Sequence, residues 1–370
     1  LDHGSSSHFW ISRVIIDIVA QDIGAENSFS GSGLSAMRGE IIMLNDLLKK
    51  LLEDTASDLH LIEGLPPAER VTGEIIQIGD IPFRNGEELA QQILSQQQRQ
   101  QLMERGDTDA SYEAEVIPGT RLRCRVNVYR ETAGFSFSFR LIPDKIPSID
   151  DLQFPMGMRR MTREPHGLIL VTGPTGSGKT TTLAAMLQDI ATHRRGKIIT
   201  LEDPIEYRLH SIQSIISQRE IGINCNSFAD GLKAALRQDP DVIMVGELRD
   251  AETIGTALAA AETGHLVLAT LHTATVIEAV DRLTQYFPAS DRKTHLMELA
   301  NSFVGIIAQR LFAKKNGGRI AAFEILTRTD ATVNMIRSDA IFRCKDYMRP
   351  ENGMQTMETA IQGLQNLGLI

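Results

Sequence analysis

The sequence predicts an α/β fold in which a parallel sheet, covered by helices on both faces, follows a smaller α+β domain. Three observations carry this. Apolar runs alternate with helix-like segments between residues 168 and 270, and that alternation means parallel strands joined by helical crossovers. Inside that region a glycine-rich turn, Gly173-Pro174-Thr175-Gly176-Ser177-Gly178-Lys179-Thr180, leads from the apolar run 168–172 into the helix-like segment 181–190. Ahead of it the pattern is one of short alternating strands, and Pro147 and Pro155 mark residues 143–155 as a linker. The expected organisation is a first domain over residues 37–142, the linker, and a second domain over residues 156–370.

A chain of 370 residues buries a large core and fits two domains better than one. Its net charge of -9 argues against a general nucleic-acid-binding surface. Cys124, Cys225 and Cys344 lie far apart with no C-x-x-C pair, which excludes an obvious zinc site or a disulfide framework and fits a reducing cytosol. Residues 9–20 are apolar but interrupted by Arg13 and Asp17, too short and too charged to span a bilayer. Residues 1–36 have no initiating Met and are rich in Ser and Gly over 28–35, so they read as a tail, with Met37 or Met43 as plausible starts.

In chain order, residues 41–52 have apolar spacing of 3.6 and predict an amphipathic helix. Residues 56–61 and 70–78 predict strands on either side of the Pro66-Pro67 turn. Residues 86–104, dominated by Gln, Leu and Glu, predict one helix stopped at Gly106-Asp107. Strands follow at 112–117, 121–129 and 134–141. In the second of these, Arg121, Arg123, Arg125 and Asn127 alternate with Leu122, Cys124, Val126 and Val128, so the arginines share one face. That face is either solvated or turned towards phosphates held by a neighbouring subunit. Beyond the glycine-rich turn, strands are expected at 197–201, 242–245 and 265–270, with helices at 228–237 and 250–262. Helices are also expected at 291–311 and 354–367, packing on their own domain or forming docking surfaces.

The turn at 173–180 has the residue types of a phosphate-binding loop. Gly173, Gly176 and Gly178 permit backbone angles and close approaches that a Cβ obstructs, so successive N–H groups can face an anion. Lys179 reaches terminal phosphates, the Thr180 hydroxyl ligates Mg²⁺, and the helix start, with Thr181 among the binding residues, adds its positive dipole end. Acids and histidines gather at the strands' C-terminal ends, where such a sheet binds its ligand. Glu247, straight after the apolar strand 242–245, is the candidate for holding the metal and its water. Glu206 or Glu202, from Glu202-Asp203-Pro204-Ile205-Glu206, would orient or deprotonate the attacking water. His265 and His272 bracket the strand 265–270. His272, at its C-terminal end, is the better candidate for sensing the terminal phosphate, and His265 is as well explained by structure.

Four motifs together resemble the signatures of the type II/IV secretion ATPase superfamily: the loop 173–180, Thr200-Leu201-Glu202-Asp203-Pro204-Ile205-Glu206, Val245-Gly246-Glu247-Leu248-Arg249-Asp250, and the histidine box 264–273. Within it the chain is most similar to PilT-type pilus retraction ATPases, also through Ala56-Ser57-Asp58-Leu59-His60-Leu61, Arg125-Val126-Asn127, Phe139-Arg140 and Gly353-Met354-Gln355-Thr356-Met357. The similarity runs from about residue 43 to 370. It implies a PAS-like first domain and a RecA-like ATPase domain in a homohexamer, with ATP and Mg²⁺ bound between domains of neighbouring subunits.

By motif position, Glu206 is then the catalytic glutamate, Glu247 the Walker B glutamate, and Arg70, Arg125 and Arg140 the arginines reaching the nucleotide. The implied partner is an inner-membrane platform protein of a pilus or secretion machine, and the implied location is the cytoplasmic face of that membrane, with no nucleic acid involved. Two departures stand out. Thr180 replaces the family's usual Ser, and the family's Ala-Ile-Arg-Asn-Leu-Ile-Arg helix appears only in part, as Ala331-Thr332-Val333-Asn334-Met335-Ile336-Arg337. Compact type IV or IVB secretion and conjugation ATPases share the plan, and a scaffold that binds ATP without turnover is a third reading.

Overall fold

The computed structural model describes residues 32–370 apart from 55, 72, 119, 143 and 144, with the side chains of 32–42 and 120 also left aside. The chain forms two compact units that divide between Leu141 and Ile142. Most of the stretch expected as a tail, residues 1–31, lies outside the described residues. Ser32 already belongs to a helix.

The first unit runs α1 (Ser32–Glu53), β1 (Asp58–Leu61), β2 (Ala68–Val71), β3 (Glu74–Gln77), α2 (Gly86–Ile93), α3 (Gln96–Arg105), β4 (Asp107–Ile117), β5 (Thr120–Arg130) and β6 (Phe135–Ile142). Its six strands form one sheet in the order β3-β2-β1-β6-β5-β4. Leu44, Leu48 and Leu51 recur every three or four residues on α1 and bury one face of it against Leu59, Leu61, Val126, Val128, Phe137 and Phe139. Two expectations are corrected here. Residues 70–78 form a hairpin, not one strand, because Gly73 at φ 98 reverses the chain and pairs Arg70 with Ile75. Residues 86–104 form two helices, because Leu94 is extended and Ser95 starts a new helix with a capping box to Gln98. Gly106, left-handed at φ 90, closes the second one.

The arginine row is present on β5, alternating with buried Leu122, Cys124 and Val126. Acids on β4 face it: Arg123 lies opposite Glu113, Arg121 pairs with Glu113 at 3.4 Å, and Arg125 with Asp109 at 3.2 Å.

The second unit runs α4 (Met156–Met161), β7 (Gly167–Thr172), α5 (Lys179–His193), β8 (Lys197–Glu202), β9 (Ile215–Glu220), α6 (Phe228–Ala235), β10 (Val242–Val245), α7 (Ala251–Glu262), β11 (Leu266–Leu271), α8 (Val276–Gln285), α9 (Arg292–Ser302), β12 (Phe303–Ala313), β13 (Arg319–Thr327), α10 (Asp330–Arg337) and α11 (Met357–Asn366). The sheet order is β13-β12-β7-β11-β10-β8-β9. Six strands are parallel, and β13 pairs antiparallel to β12. One face of the sheet packs on α5 and α4 through Leu183, Leu187, Ile190 and Met158. The other packs on α7, α8 and α9 through Leu258, Val280 and Leu299. β7, β10 and β11 are buried along their whole length, as strands covered on both faces must be.

The helix expected over 291–311 ends at Ser302, and β12 begins at the next residue. Phe303, Val304, Ile306 and Ile307 are buried between the two helical layers, which suits a central strand. In the segment 143–155, Ile146, Ile149 and Leu152 pack on the core beside α4, and buried Phe154 meets Phe323 edge-on at 5.7 Å between ring centres. Among the described residues no helix is long and apolar enough to cross a membrane.

Glu69 on β2 is only 3% exposed and lies beside Asp54, which also contacts Lys50. Burial, then the neighbouring Asp54, pushes its carboxyl up to about 7. An acid raised in the folded state gives stability that is complete below its unfolded value, near 4.5, and is lost as pH climbs through 7. Glu69→Gln therefore raises the melting temperature at about pH 8, and the gain shrinks steadily towards about pH 4.5. A gain of equal size at both ends of that range contradicts this placement.

Candidate active site

The parallel register sets the site. Leu271 stands level with Thr172, and Val245 with both Ala269 and Leu201, so the chain leaves β7, β11, β10 and β8 along one edge of the sheet. Backbone contacts hold those exits together. Gly246 N–H donates to the Leu201 carbonyl at 2.8 Å and Leu248 N–H to that of Thr270 at 3.1 Å. The Thr172 hydroxyl donates to the Thr273 carbonyl at 2.7 Å and accepts from Thr273 N–H at 2.9 Å. These bonds tie the loop after β7 to the loop after β11.

Gly173, Gly176 and Gly178 have φ of 150, 77 and 87, in the region other residues rarely adopt. Space excludes a side chain at two of them as well. A Cβ on Gly173 lies 2.5 Å from the Gln309 carbonyl oxygen, and one on Gly178 lies 2.9 Å from Gln309 Nε2. Pro174 and Thr175 are exposed at the tip, and Thr180 is half-buried at the start of α5. The Ser177 hydroxyl is buried with no hydrogen-bond partner. Thr181 contacts the Tyr207 hydroxyl at 2.9 Å, which ties α5 to the loop after β8.

Lys179 is 9% exposed. Its ammonium donates to the carbonyls of Gly173 at 2.7 Å and Pro174 at 3.2 Å, and lies 3.3 Å from His272 Nδ1. Burial lowers its pKa, and the charges of Glu247 and Glu206 oppose that shift. An ammonium only donates, so His272 Nδ1 accepts here, which leaves the proton on Nε2. Nε2 lies 3.1 Å from Glu247 Oε1, within ion-pair distance, while Arg249 Nε donates to Glu247 Oε2 at 2.6 Å. Lys179, His272, Glu247 and Arg249 thus form one chain. Glu247 and His272 also line a cleft of about 290 Å³ with Thr273, Glu278, Arg282 and Tyr286.

The remaining acids differ. Glu206 is exposed, makes no hydrogen bond or ion pair among the described residues, and is near enough to Lys179 for its charge to act there. Glu202 is buried and accepts from Thr200 Oγ1 at 2.6 Å and Gln218 Nε2 at 2.9 Å. Burial raises its pKa. Its bonds link β8 to β9, so the structure gives it a positioning place and leaves Glu206 the open carboxylate.

His265 sits at the other end of β11, roughly 20 Å from His272 by strand rise, where its ring meets the Ala260 carbonyl at 3.0 Å. Within one chain it does not join the loop. The three arginines belong to the first unit. Arg70 and Arg140 lie opposite Asp58 on the two strands beside β1, Arg140 pairs with Asp58 at 2.8 Å, and Arg70 donates to the Gly73 carbonyl at 2.7 Å. Gln309 carries no strong sequence signal: it is one polar residue within an apolar run that predicts helix.

The glycine cradle, the unpartnered Ser177 hydroxyl and a buried cation facing carbonyls fit a polyphosphate. Lys179→Ala is expected to weaken ATP binding by orders of magnitude, since it removes a cation facing several phosphate charges. Gly178→Ala, forced into a left-handed conformation against Gln309, weakens it about tenfold. Gly255→Ala, with open space and a helical backbone, leaves affinity unchanged and does not weaken folding. Calorimetric titration with ATP checks all three, and a normal Gly178→Ala contradicts the cradle.

The chain resembles known proteins along most of its length. The family model for "Type II/IV secretion system protein" matches residues 38–349. The chain is 41% identical over 331 residues to the type IV pilus retraction ATPase PilT of Pseudomonas aeruginosa, covering 88% of this chain and 95% of that one. It is 41% identical to a twitching motility protein of Neisseria gonorrhoeae, covering 88% and 87%. The crystal structure of the pilus retraction motor PilT with bound ADP superposes with a TM-score of 0.82 at 42% identity, covering 88% and 94%. The Legionella pneumophila ATPase DotB superposes with a TM-score of 0.75 at 28% identity, covering 94% and 95%. The chain belongs to the type II/IV secretion system protein family.

Proposed function

We propose that this protein is an ATP hydrolase that drives retraction of a type IV pilus. The observation that carries this is the Lys179–His272–Glu247 chain at a glycine cradle, in a sequence 41% identical to a retraction ATPase along nearly its whole length. The working form is a homohexamer at the cytoplasmic face of the inner membrane, engaged through a platform protein.

Loop N–H groups and Lys179 bind the phosphates of ATP and draw charge from the terminal one. Mg²⁺ would be held by Thr180 directly and by Glu247 through water, supplying charge neutralisation across the phosphates. Glu206, exposed and unpaired, takes the proton of the attacking water. Glu247 keeps one orientation because Arg249 and His272 each hold one of its oxygens. When Lys179 turns to the phosphates, His272 Nδ1 loses its donor, and the change passes to Glu247 and to the Thr273 loop. Arg70, Arg125 and Arg140 approach the nucleotide from a neighbouring first unit, adding positive charge as an arginine finger does.

A second reading, a compact type IV or IVB secretion or conjugation ATPase, draws on the likeness to the Legionella ATPase. The lower identity, 28% against 42%, ranks it below retraction.

Glu206→Gln keeps the shape of the side chain but cannot take a proton. Steady-state phosphate release is expected to fall roughly 10²–10⁴-fold while ATP affinity stays within about twofold. A variant that turns over at the wild-type rate removes Glu206 from the chemistry, and a wild type that binds ATP without releasing phosphate leaves only a nucleotide-gated scaffold.

A further inference from the structure

β12 lies beside β7 with Ala308 level with Thr172, the last residue before the loop. The next residue on β12, Gln309, is therefore placed behind the loop as it turns. It is 2% exposed, and both ends of its amide are used. Nε2 donates to the Ser177 carbonyl at 2.7 Å, and Oε1 accepts from Thr182 Oγ1 at 2.7 Å. A carbonyl only accepts, so the atom facing Ser177 has to be the nitrogen. Thr182 lies in the first turn of α5, so one side chain joins the loop to the helix it feeds.

Peptide geometry gives this contact a consequence. In a trans peptide the C=O and the next N–H point in opposite directions. Fixing the Ser177 carbonyl towards Gln309 therefore turns Gly178 N–H to the opposite side. Gly173 and Gly178 flank the same residue at distances that admit no Cβ, so the loop backbone is pressed against β12 there.

We propose that Gln309 is a positioning residue for the phosphate loop, holding the Ser177–Gly178 peptide in the orientation that presents its N–H to phosphate. This rests on the loop's assignment as an ATP site. Only a side chain with a donor and an acceptor at this length satisfies both partners. Glutamate keeps the length and the acceptor, but when ionised it sets a carboxylate against the Ser177 carbonyl. Protonated, it regains a donor.

The test uses the full chain with Gln309→Glu and Gln309→Met. The readouts are ATP affinity, steady-state KM and kcat, each taken as a ratio to wild type at about pH 8 and about pH 5.5, either side of a raised carboxyl pKa. At the higher pH, Gln309→Glu is expected to lose about tenfold or more in affinity and KM with kcat within about twofold, and to recover most of this at the lower pH. Gln309→Met shows a similar loss without recovery. Wild-type-like affinity in both folded variants, or a Gln309→Glu loss that does not change with pH, overturns the proposal. Where Gln309→Met does not fold, the pH response of Gln309→Glu decides alone. A wild type that fails to bind ATP overturns the loop assignment first, and this inference with it.

Discussion

Lys179 is only 9% exposed, so its cation has to be answered by something, and the answer within the chain is incomplete. Two carbonyls and one imidazole nitrogen surround it, and among the described residues no carboxylate lies within ion-pair distance. Desolvation of a charge is costly unless an opposite charge compensates it. Glu247 and Glu206 act on Lys179 only from a distance. This imbalance is what suits the pocket to an anion of several charges, and the surrounding architecture serves to keep it in place. The sheet edge brings Glu247 and His272 to the loop, Thr172 fastens the Thr273 turn, and Gln309 backs the glycines.

The same constraint orders the neighbouring side chains. Because the lysine can only donate, His272 accepts through Nδ1, and its Nε2 lies 3.1 Å from Glu247. Arg249 occupies the other oxygen of Glu247. The first unit follows a parallel logic at the surface. Asp58 is nearly buried while its partner Arg140 is 71% exposed, so the acid anchors a guanidinium whose outer side stays open. Arg125 is similarly tethered by Asp109.

Much of this was legible in the sequence because the signals were local. Three glycines and a lysine at fixed spacing describe the cradle, and unbroken apolar runs over 168–172 and 242–245 describe strands buried on both sides. What was not legible depended on partners distant in the chain. Residues 303–311 read as helix because an apolar run alone does not separate a strand from a buried helix. With that strand hidden, so was Gln309. Glu202 and Glu206 look equivalent in one acidic box, yet Gln218, from an unforeseen strand, buries the first and leaves the second open. His272, at the C-terminal end of its strand, stood out over His265 because a parallel sheet binds its ligand at that end, and the register bears out that placement. The break at Leu94 turned on one serine able to cap a new helix.

The most direct measurement is the structure of the chain with a non-hydrolysable ATP analogue and Mg²⁺. The account predicts that Lys179 Nζ leaves the Gly173 carbonyl for phosphate oxygens, that the Ser177 hydroxyl gains a partner there, and that Gly178 N–H faces the same phosphates. Phosphates bound elsewhere, with Lys179 still donating to Gly173, would contradict it.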